Sequence, residues 1–72
     1  MWKPILNRTM LQRLKQNQTI ALRGPGGYKI FMILSIDYSG PENLSAVSIS
    51  GPRKETILPI SELIDNGWWI RS

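Results

Sequence analysis

The sequence contains no cysteine and no histidine among its 72 residues. It therefore cannot form disulfide bonds, and it lacks the ligands of most structural zinc sites. It also lacks the side chains that most often act as nucleophile or general base near neutral pH. The five carboxylates have no spacing that forces two of them together, and no carboxylate-rich cation loop is present. We therefore predict a protein that is not an enzyme and has no catalytic residues, no bound metal and no cofactor.

Long hydrophobic runs are also missing. The longest apolar stretch, Ile30 to Leu34 with Ile36 beyond it, is far shorter than the roughly 18 residues that a membrane-spanning helix needs. The first eight residues lack the apolar segment and the small-residue cleavage site of a secretory signal. These two absences predict a cytoplasmic protein without an integral membrane span.

A chain of 72 residues has room for one core only. Its hydrophobic content of 42% is too high for a disordered tail. A core this small leaves little net stability without disulfides or a metal, so tight packing or a partner subunit must supply the rest. We expect a single domain over residues 1–72 that could pair as a homodimer.

Acidic residues are absent from the first 30 positions, and this makes the charge distribution strongly asymmetric. Residues 1–30 carry a net charge of +6, whereas residues 31–72 carry −2, which together give the +4 of the whole chain. Such asymmetry is typical of a protein with one end that meets an anionic partner, although a solvated basic surface would look the same.

Residues 1–16 are predicted to form a basic helical segment that packs on the rest of the chain, residues 18–72. Apolar Met10, Leu11 and Leu14 recur at helical spacing within residues 7–16, and Thr9 could cap the start of the helix. A helix of two to three turns is not stable alone in water. It must therefore bury its leucines against the remaining chain.

From Gln18 onward the apolar residues alternate with a period of two, which is typical of strands. Five strands are predicted, with a one-turn 3₁₀ helix before the last: residues 18–23, 28–36, 44–50, 55–58 and 68–71, and the helix at 61–65. The strand from Tyr28 to Ile36 is apolar on both faces. This pattern favours a strongly bent central strand that is buried on both sides, as in small barrels.

The segment from Thr19 to Leu63 resembles short prokaryotic SH3-like modules, in which a glycine-rich turn such as Gly24-Pro25-Gly26-Gly27 joins the first two strands. The strand ending at Leu58-Pro59, the following helical turn and the closing strand are similar to the last third of SH3-like barrels. The resemblance implies a mainly β fold, a small five-stranded SH3-like barrel. The acidic binding loop of peptide-binding SH3 domains has no counterpart, so recognition of proline-rich ligands is not implied.

The first functional hypothesis is a nucleic-acid-binding protein. Cationic side chains on the helix and around the glycine-rich turn would contact phosphates, and an exposed tyrosine would stack on a base. The candidate residues are Arg8, Arg13, Lys15, Arg23, Lys29 and Tyr28. The glycine-rich turn is not a Walker loop, because its glycines precede a strand and Pro25 lacks an N–H donor.

The second hypothesis is a protein-interaction module that binds an acidic protein through exposed aromatic residues. Adjacent residues of a strand face opposite ways, so Trp68 and Trp69 cannot both enter one core. The candidate interface residues are Trp2, Tyr38, Trp68 and Trp69. Such a module would be a small inhibitor, regulator or assembly factor of the kind that bacteria, phages and plasmids carry. Binding of the basic helix and Trp2 to a membrane surface is a third alternative.

Overall fold

All the strands of the computed structural model, which describes residues 1–71, belong to one antiparallel sheet of six strands. Two short helices accompany the sheet, so the fold is mainly β, as predicted. The elements in chain order are β1 Trp2–Pro4, α1 Arg8–Gln12, β2 Thr19–Gly24, β3 Gly27–Asp37, β4 Asn43–Ser48, β5 Glu55–Pro59, α2 Glu62–Asp65 and β6 Trp69–Arg71.

The strand order across the sheet is β1-β6-β2-β3-β4-β5. The sheet does not close, and β1 and β5 are its two edges. The prediction of five strands was wrong by one, because residues 2–4 form a strand on β6 with Trp2 opposite Arg71 and Pro4 opposite Trp69. Three residues that include a proline show no alternation, so the sequence pattern could not reveal β1. The predicted 3₁₀ turn is the α-helix α2.

The central strand β3 changes the facing of its side chains at a bulge. Its pairing with β4 shifts register between Ile33 and Ser35, which leaves Leu34 as the extra residue. Before the bulge Phe31 and Ile33 face the core, and after it Ile36 does. The bulge therefore explains why apolar residues occur at both parities of this strand. We expected β3 to be buried on both faces. Only the face towards the core is buried, and the opposite face is half-buried.

The core lies on one face of the sheet, which we call the inner face, and is covered by the helices and their connections. Its fully buried side chains are Ile20, Ile33, Leu44, Ile60 and Leu63. The other face, which we call the outer face, carries Trp69, Ala21 and Ile30 side by side across β6, β2 and β3.

Helix α1 has five residues and is much shorter than the predicted segment 7–16. Asn7, and not Thr9, caps its start, because the Asn7 side chain accepts a hydrogen bond from the Met10 backbone N–H at 3.0 Å. After the helix, Leu14 N–H donates to the Leu11 carbonyl and Asn17 adopts a left-handed φ of 71°. Asn tolerates this conformation better than most residues, and it turns the chain into β2. Leu11 and Leu14 are both buried, as expected.

Candidate nucleic-acid interface

The six residues proposed to bind nucleic acid lie at two opposite ends of the sheet. Arg8, Arg13 and Lys15 accompany α1, which lies beside the end of β3 because the Tyr38 hydroxyl donates to the Leu11 carbonyl at 3.0 Å. Arg23, Tyr28 and Lys29 belong to the β2–β3 hairpin at the start of β3. The segment after α1 meets β3 at Ile33, which exchanges backbone hydrogen bonds with Asn17 and Gln18, so about five residues of strand, or roughly 16 Å, lie between this point and Tyr28. The structure does not bring all six into one surface.

The loop between β4 and β5 adds two further cations to the hairpin end. The Ile30 backbone N–H donates to the Ser50 hydroxyl at 2.9 Å, and the Ser48 N–H donates to the Lys54 carbonyl at 3.0 Å. These contacts hold the loop beside the first half of β3. The hairpin end thus carries four cationic side chains, which we call the hairpin-end cations: Arg23, Lys29, Arg53 and Lys54.

Among residues 1–71 the hairpin-end cations have no salt-bridge partner, unlike Arg8 at the other end. Within residues 1–71 the one salt bridge joins Arg8 Nη2 to Glu42 Oε1 at 3.0 Å. Cations without a carboxylate partner attract an anionic ligand more strongly, because no internal neutralisation has to be broken. Among the described residues the hairpin end therefore has four cations outside salt bridges, against Arg13 and Lys15 at the other end.

An open cleft of about 650 Å³ lies at this end on the inner face of the sheet. Its lining includes Phe31 and Trp68, whose ring centroids are 5.5 Å apart with planes at 51°. Lys29 and Lys54 also line it, together with Tyr28, which is 56% exposed. We call this the hairpin-end cleft. Its volume falls in the range of roughly 300–1,000 Å³ that is typical of small-ligand sites.

Two buried polar atoms of residues that line the hairpin-end cleft have no hydrogen-bond partner. They are Trp68 Nε1, which can only donate, and Glu62 Oε2, which as a carboxylate oxygen can only accept. A buried polar group without a partner costs free energy. Both atoms belong to residues that line the cleft but are themselves buried.

The four aromatic residues predicted to form an interface lie in different parts of the structure. Trp2 and Trp69 line a smaller groove of about 240 Å³ on the outer face, together with Ala21, Tyr28 and Ile30. Trp68 had been predicted as an interface residue. It is only 2% exposed, so its side chain offers no surface to a protein partner. Tyr38 lies at the other end of the sheet and contacts α1.

Tyr38 holds α1 against the sheet through its hydroxyl group. Burial raises the pKa of the Tyr38 phenol, and the nearby charge of Glu42 raises it further. The neighbouring Asp37 accepts hydrogen bonds from the Ser39 hydroxyl and the Ser39 backbone N–H, and these lower the pKa of its carboxyl. The Ser39 hydrogen bonds stabilise the ionised Asp37 carboxylate where β3 ends, whereas the raised pKa of Tyr38 reflects the cost of ionising a partly buried phenol beside a carboxylate.

Replacing Tyr38 with phenylalanine should lower the free energy of unfolding by about 1 kcal/mol, because the hydrogen bond to Leu11 is lost. Since the folded pKa is raised, the contribution of the hydroxyl is fully present below the unfolded pKa near 10 and is lost as the pH rises through the folded value. Urea unfolding at neutral and alkaline pH measures both effects. A Tyr38→Phe variant that is as stable as the parent at neutral pH would contradict this role.

Sequence reasoning missed three residues of the site: Arg53, Lys54 and Glu62. A signal was available for the first two. In three consecutive antiparallel hairpins the first and the third turns lie at the same end, so β2–β3 and β4–β5 must approach each other. Glu62 carried no such signal, because its place in the cleft depends on how α2 packs.

Among the described residues no helix is long and apolar enough to cross a bilayer. In the same part of the chain no cluster of three or more potential metal ligands occurs. No protein-family model, curated protein or solved structure matches the chain.

Proposed function

We propose that this protein binds single-stranded nucleic acid at the hairpin end of the sheet. The observation that carries the proposal is the exposed Tyr28 ring, which stands opposite Arg23 in the β2–β3 register and borders both the hairpin-end cleft and the groove on the outer face. An exposed aromatic ring among unpaired cations provides both a stacking surface for a base and contacts for the flanking phosphates.

A single strand suits this surface better than a duplex. Stacking on Tyr28 requires a base whose face is free, whereas the bases of a duplex cover one another. The cleft is concave and has Phe31 on its lining, so it accepts an unstacked group and not the convex backbone of a double helix. Of the two cationic ends, only the hairpin end combines these features.

The scaffold we propose is an open relative of the SH3-like arrangement. The glycine-rich β2–β3 turn, the helical turn α2 after Pro59 and the closing strand β6 support it. A shared architecture does not specify a function. The binding proposal therefore depends on the hairpin-end residues alone.

Binding should weaken steeply with salt. Four cations that each neutralise one phosphate give a slope of about −3 for the logarithm of affinity against the logarithm of salt concentration, because each contact in a single strand contributes about −0.7. Affinity for a labelled oligonucleotide of about 12 nucleotides should fall roughly 50-fold between about 50 and 200 mM salt. Fluorescence anisotropy measures this dependence. No measurable binding at about 50 mM salt would overturn the proposal.

An acidic protein partner is a second candidate function, favoured by the groove on the outer face. Trp2, at 37% exposed, and Trp69 would accept an apolar side chain of the partner. Arg71 lies two residues after Trp69 on β6, and therefore on the same face, where it would meet acidic residues of the partner. Native mass spectrometry with and without nuclease treatment separates the two functions. A bound acidic protein that persists after nuclease and that Trp2→Ala releases supports this candidate, whereas bound nucleic acid that nuclease removes and Trp2→Ala retains supports the first.

A further inference from the structure

The outer face of the sheet is apolar, and neither helix covers it. Leu11 of α1 and Leu63 of α2 are buried in the core, so both helices lie on the inner face. Exposed or half-buried apolar side chains stand on five of the six strands of the outer face: Trp2, Trp69, Ile30, Met32, Val47 and Ile57. A continuous apolar surface of this kind marks a contact with another molecule.

One row of paired residues crosses the whole outer face. In order from β1 to β5, its members are Trp2, Arg71, Thr19, Met32, Val47 and Glu55. Arg71 lies beside Thr19 because the preceding Ile70 pairs with Ile20. The row therefore has a cation near one margin of the sheet, a carboxylate at the other margin and two apolar residues next to the carboxylate.

Arg71 and Glu55 are too far apart to pair within one copy. Four strand spacings of about 4.8 Å separate β6 from β5, which makes roughly 19 Å along the sheet. Both side chains are exposed, and within residues 1–71 neither forms a salt bridge. They leave opposite charges at opposite margins of one apolar face.

The neighbouring row has an apolar groove on one half of the sheet and an exposed apolar side chain on the other. The groove of about 240 Å³ includes Ala21 between Trp69 and Ile30. Ile49 follows β4, is 42% exposed and donates its backbone N–H to the Ile30 carbonyl at 2.9 Å. Alternation from Val47 puts Ile49 on the outer face.

We propose that two copies of the protein pack outer face to outer face, about a two-fold axis that runs parallel to the strands between β2 and β3. This axis exchanges the halves of the sheet, so β6 meets β4 of the partner subunit and β1 meets its β5. Ile49 of the partner subunit then enters the groove beside Trp69. Arg71 comes within side-chain reach of Glu55 of the partner subunit. Each contact occurs twice, as two-fold symmetry requires.

A two-fold axis perpendicular to the strands fits this face less well. It would place every strand over the same strand of the partner subunit, so that Arg71 faces Arg71 and Glu55 faces Glu55. Like charges at these positions repel. The opposite charges in one row therefore select the axis that is parallel to the strands.

The size of the face predicts a weak dimer. Six strands about 4.8 Å apart, over about five residues each, give a flat area of roughly 24 by 17 Å on each copy. Both copies together bury about 800 Å² in this flat count, and the relief of the side chains raises the value towards the roughly 1,200 Å² of specific interfaces. We expect a dissociation constant of about 100 μM.

Tyr28 stays at the margin of this contact. It pairs with Arg23 one row nearer to the hairpin than Ala21 and Ile30. Dimerisation thus goes beyond the proposed function and does not depend on it.

Sedimentation velocity without nucleic acid, from about 10 μM to about 1 mM protein, should show monomers converting to dimers. Ile49→Lys should weaken this association at least about tenfold, because an ammonium group does not enter an apolar groove. The matched control is Ile57→Lys on the same face. It should change the affinity by less than about twofold, because β1 of the partner subunit ends before it reaches the row of Ile57.

The charge pair provides a second test. Arg71→Glu and Glu55→Arg should each weaken the association of the variant with itself about tenfold, because two like-charge contacts replace two attractive ones. An equimolar mixture of the two variants should recover the parent affinity, since each reversed charge then meets the other. Arg13→Glu, an exposed charge reversal after α1, should leave the affinity unchanged.

A parent protein that stays monomeric at about 1 mM overturns the dimer and leaves the nucleic-acid proposal standing. A dimer that neither Ile49→Lys nor the charge reversals weaken refutes the outer-face contact. A mixture that associates no better than the single variants refutes the parallel axis. A parent that is monomeric alone and holds an acidic protein through Trp2 decides for the second candidate function instead. If Ile49→Lys fails to fold, the mixture of charge variants decides.

Discussion

Truncating Ile33 to alanine should lower the free energy of unfolding by about 3 kcal/mol. Ile33 has no exposed surface and stands opposite Ala46, whose small side chain cannot fill the space that the truncation leaves. The cavity therefore persists, and its cost adds to the lost hydrophobic transfer energy. A domain of 72 residues has a total stability of only about 4–11 kcal/mol, so a large part of it disappears.

Urea unfolding followed by tryptophan fluorescence measures this effect, since Trp68 belongs to the same core. The matched control is Ile57→Ala on the neighbouring part of the sheet. Ile57 is 69% exposed, so its truncation should change stability by less than about 0.5 kcal/mol. Equal effects of the two substitutions would show that the inner face of β3 is not the centre of the core.

Reversing the charges of the two cleft lysines, Lys29→Glu with Lys54→Glu, should weaken oligonucleotide binding by about 100-fold at about 50 mM salt. Two phosphate contacts are lost, and two negative charges then repel the strand at the mouth of the cleft. The salt slope should become less negative by at least about 1.4 units, because each contact contributes about 0.7. Anisotropy titrations at several salt concentrations give both quantities.

The control makes the same change of net charge at the other end of the sheet, with Arg13→Glu and Lys15→Glu. Both residues are exposed, follow α1 and do not line the cleft. This variant should lose only a few-fold in affinity, through the weaker overall field of the protein. If it loses as much as the cleft variant, binding does not occur at the hairpin end. Far-ultraviolet circular dichroism confirms that both variants fold.

The sequence predicted the elements whose apolar residues follow one period without interruption. Strands β2 to β6 and the turn at α2 lie where alternation and turn residues placed them, to within a few positions. Thr19 to Gly24 is the clearest case, because Ile20 faces the core and Arg23 does not. Local pattern sufficed there, since Ile20 and Leu22 pack on the core from the same face of the strand.

The remaining features depend on contacts between distant parts of the chain. Residues 2–4 form β1 because they pair with β6. Helix α1 ends early because Asn17 turns the chain towards β2. Apolar residues at both odd and even positions of β3 are compatible with burial on two sides or with a bulge. Only the pairing with β4 distinguishes these two structures. The six candidate cationic and aromatic residues lie in two groups for the same reason, because closeness along the chain does not fix closeness in the sheet.

The open edges of the sheet restrict how copies of this protein can associate. Exposed edge strands can pair edge to edge with another sheet. Here β1 ends at Pro4 after Lys3, and β5 runs from Glu55 to Pro59. A proline lacks the backbone donor that an added strand needs, and charged side chains on so short an edge disfavour stacking of further sheets. Both edges of the sheet therefore resist growth into fibres. Any self-association has to use the faces of the sheet.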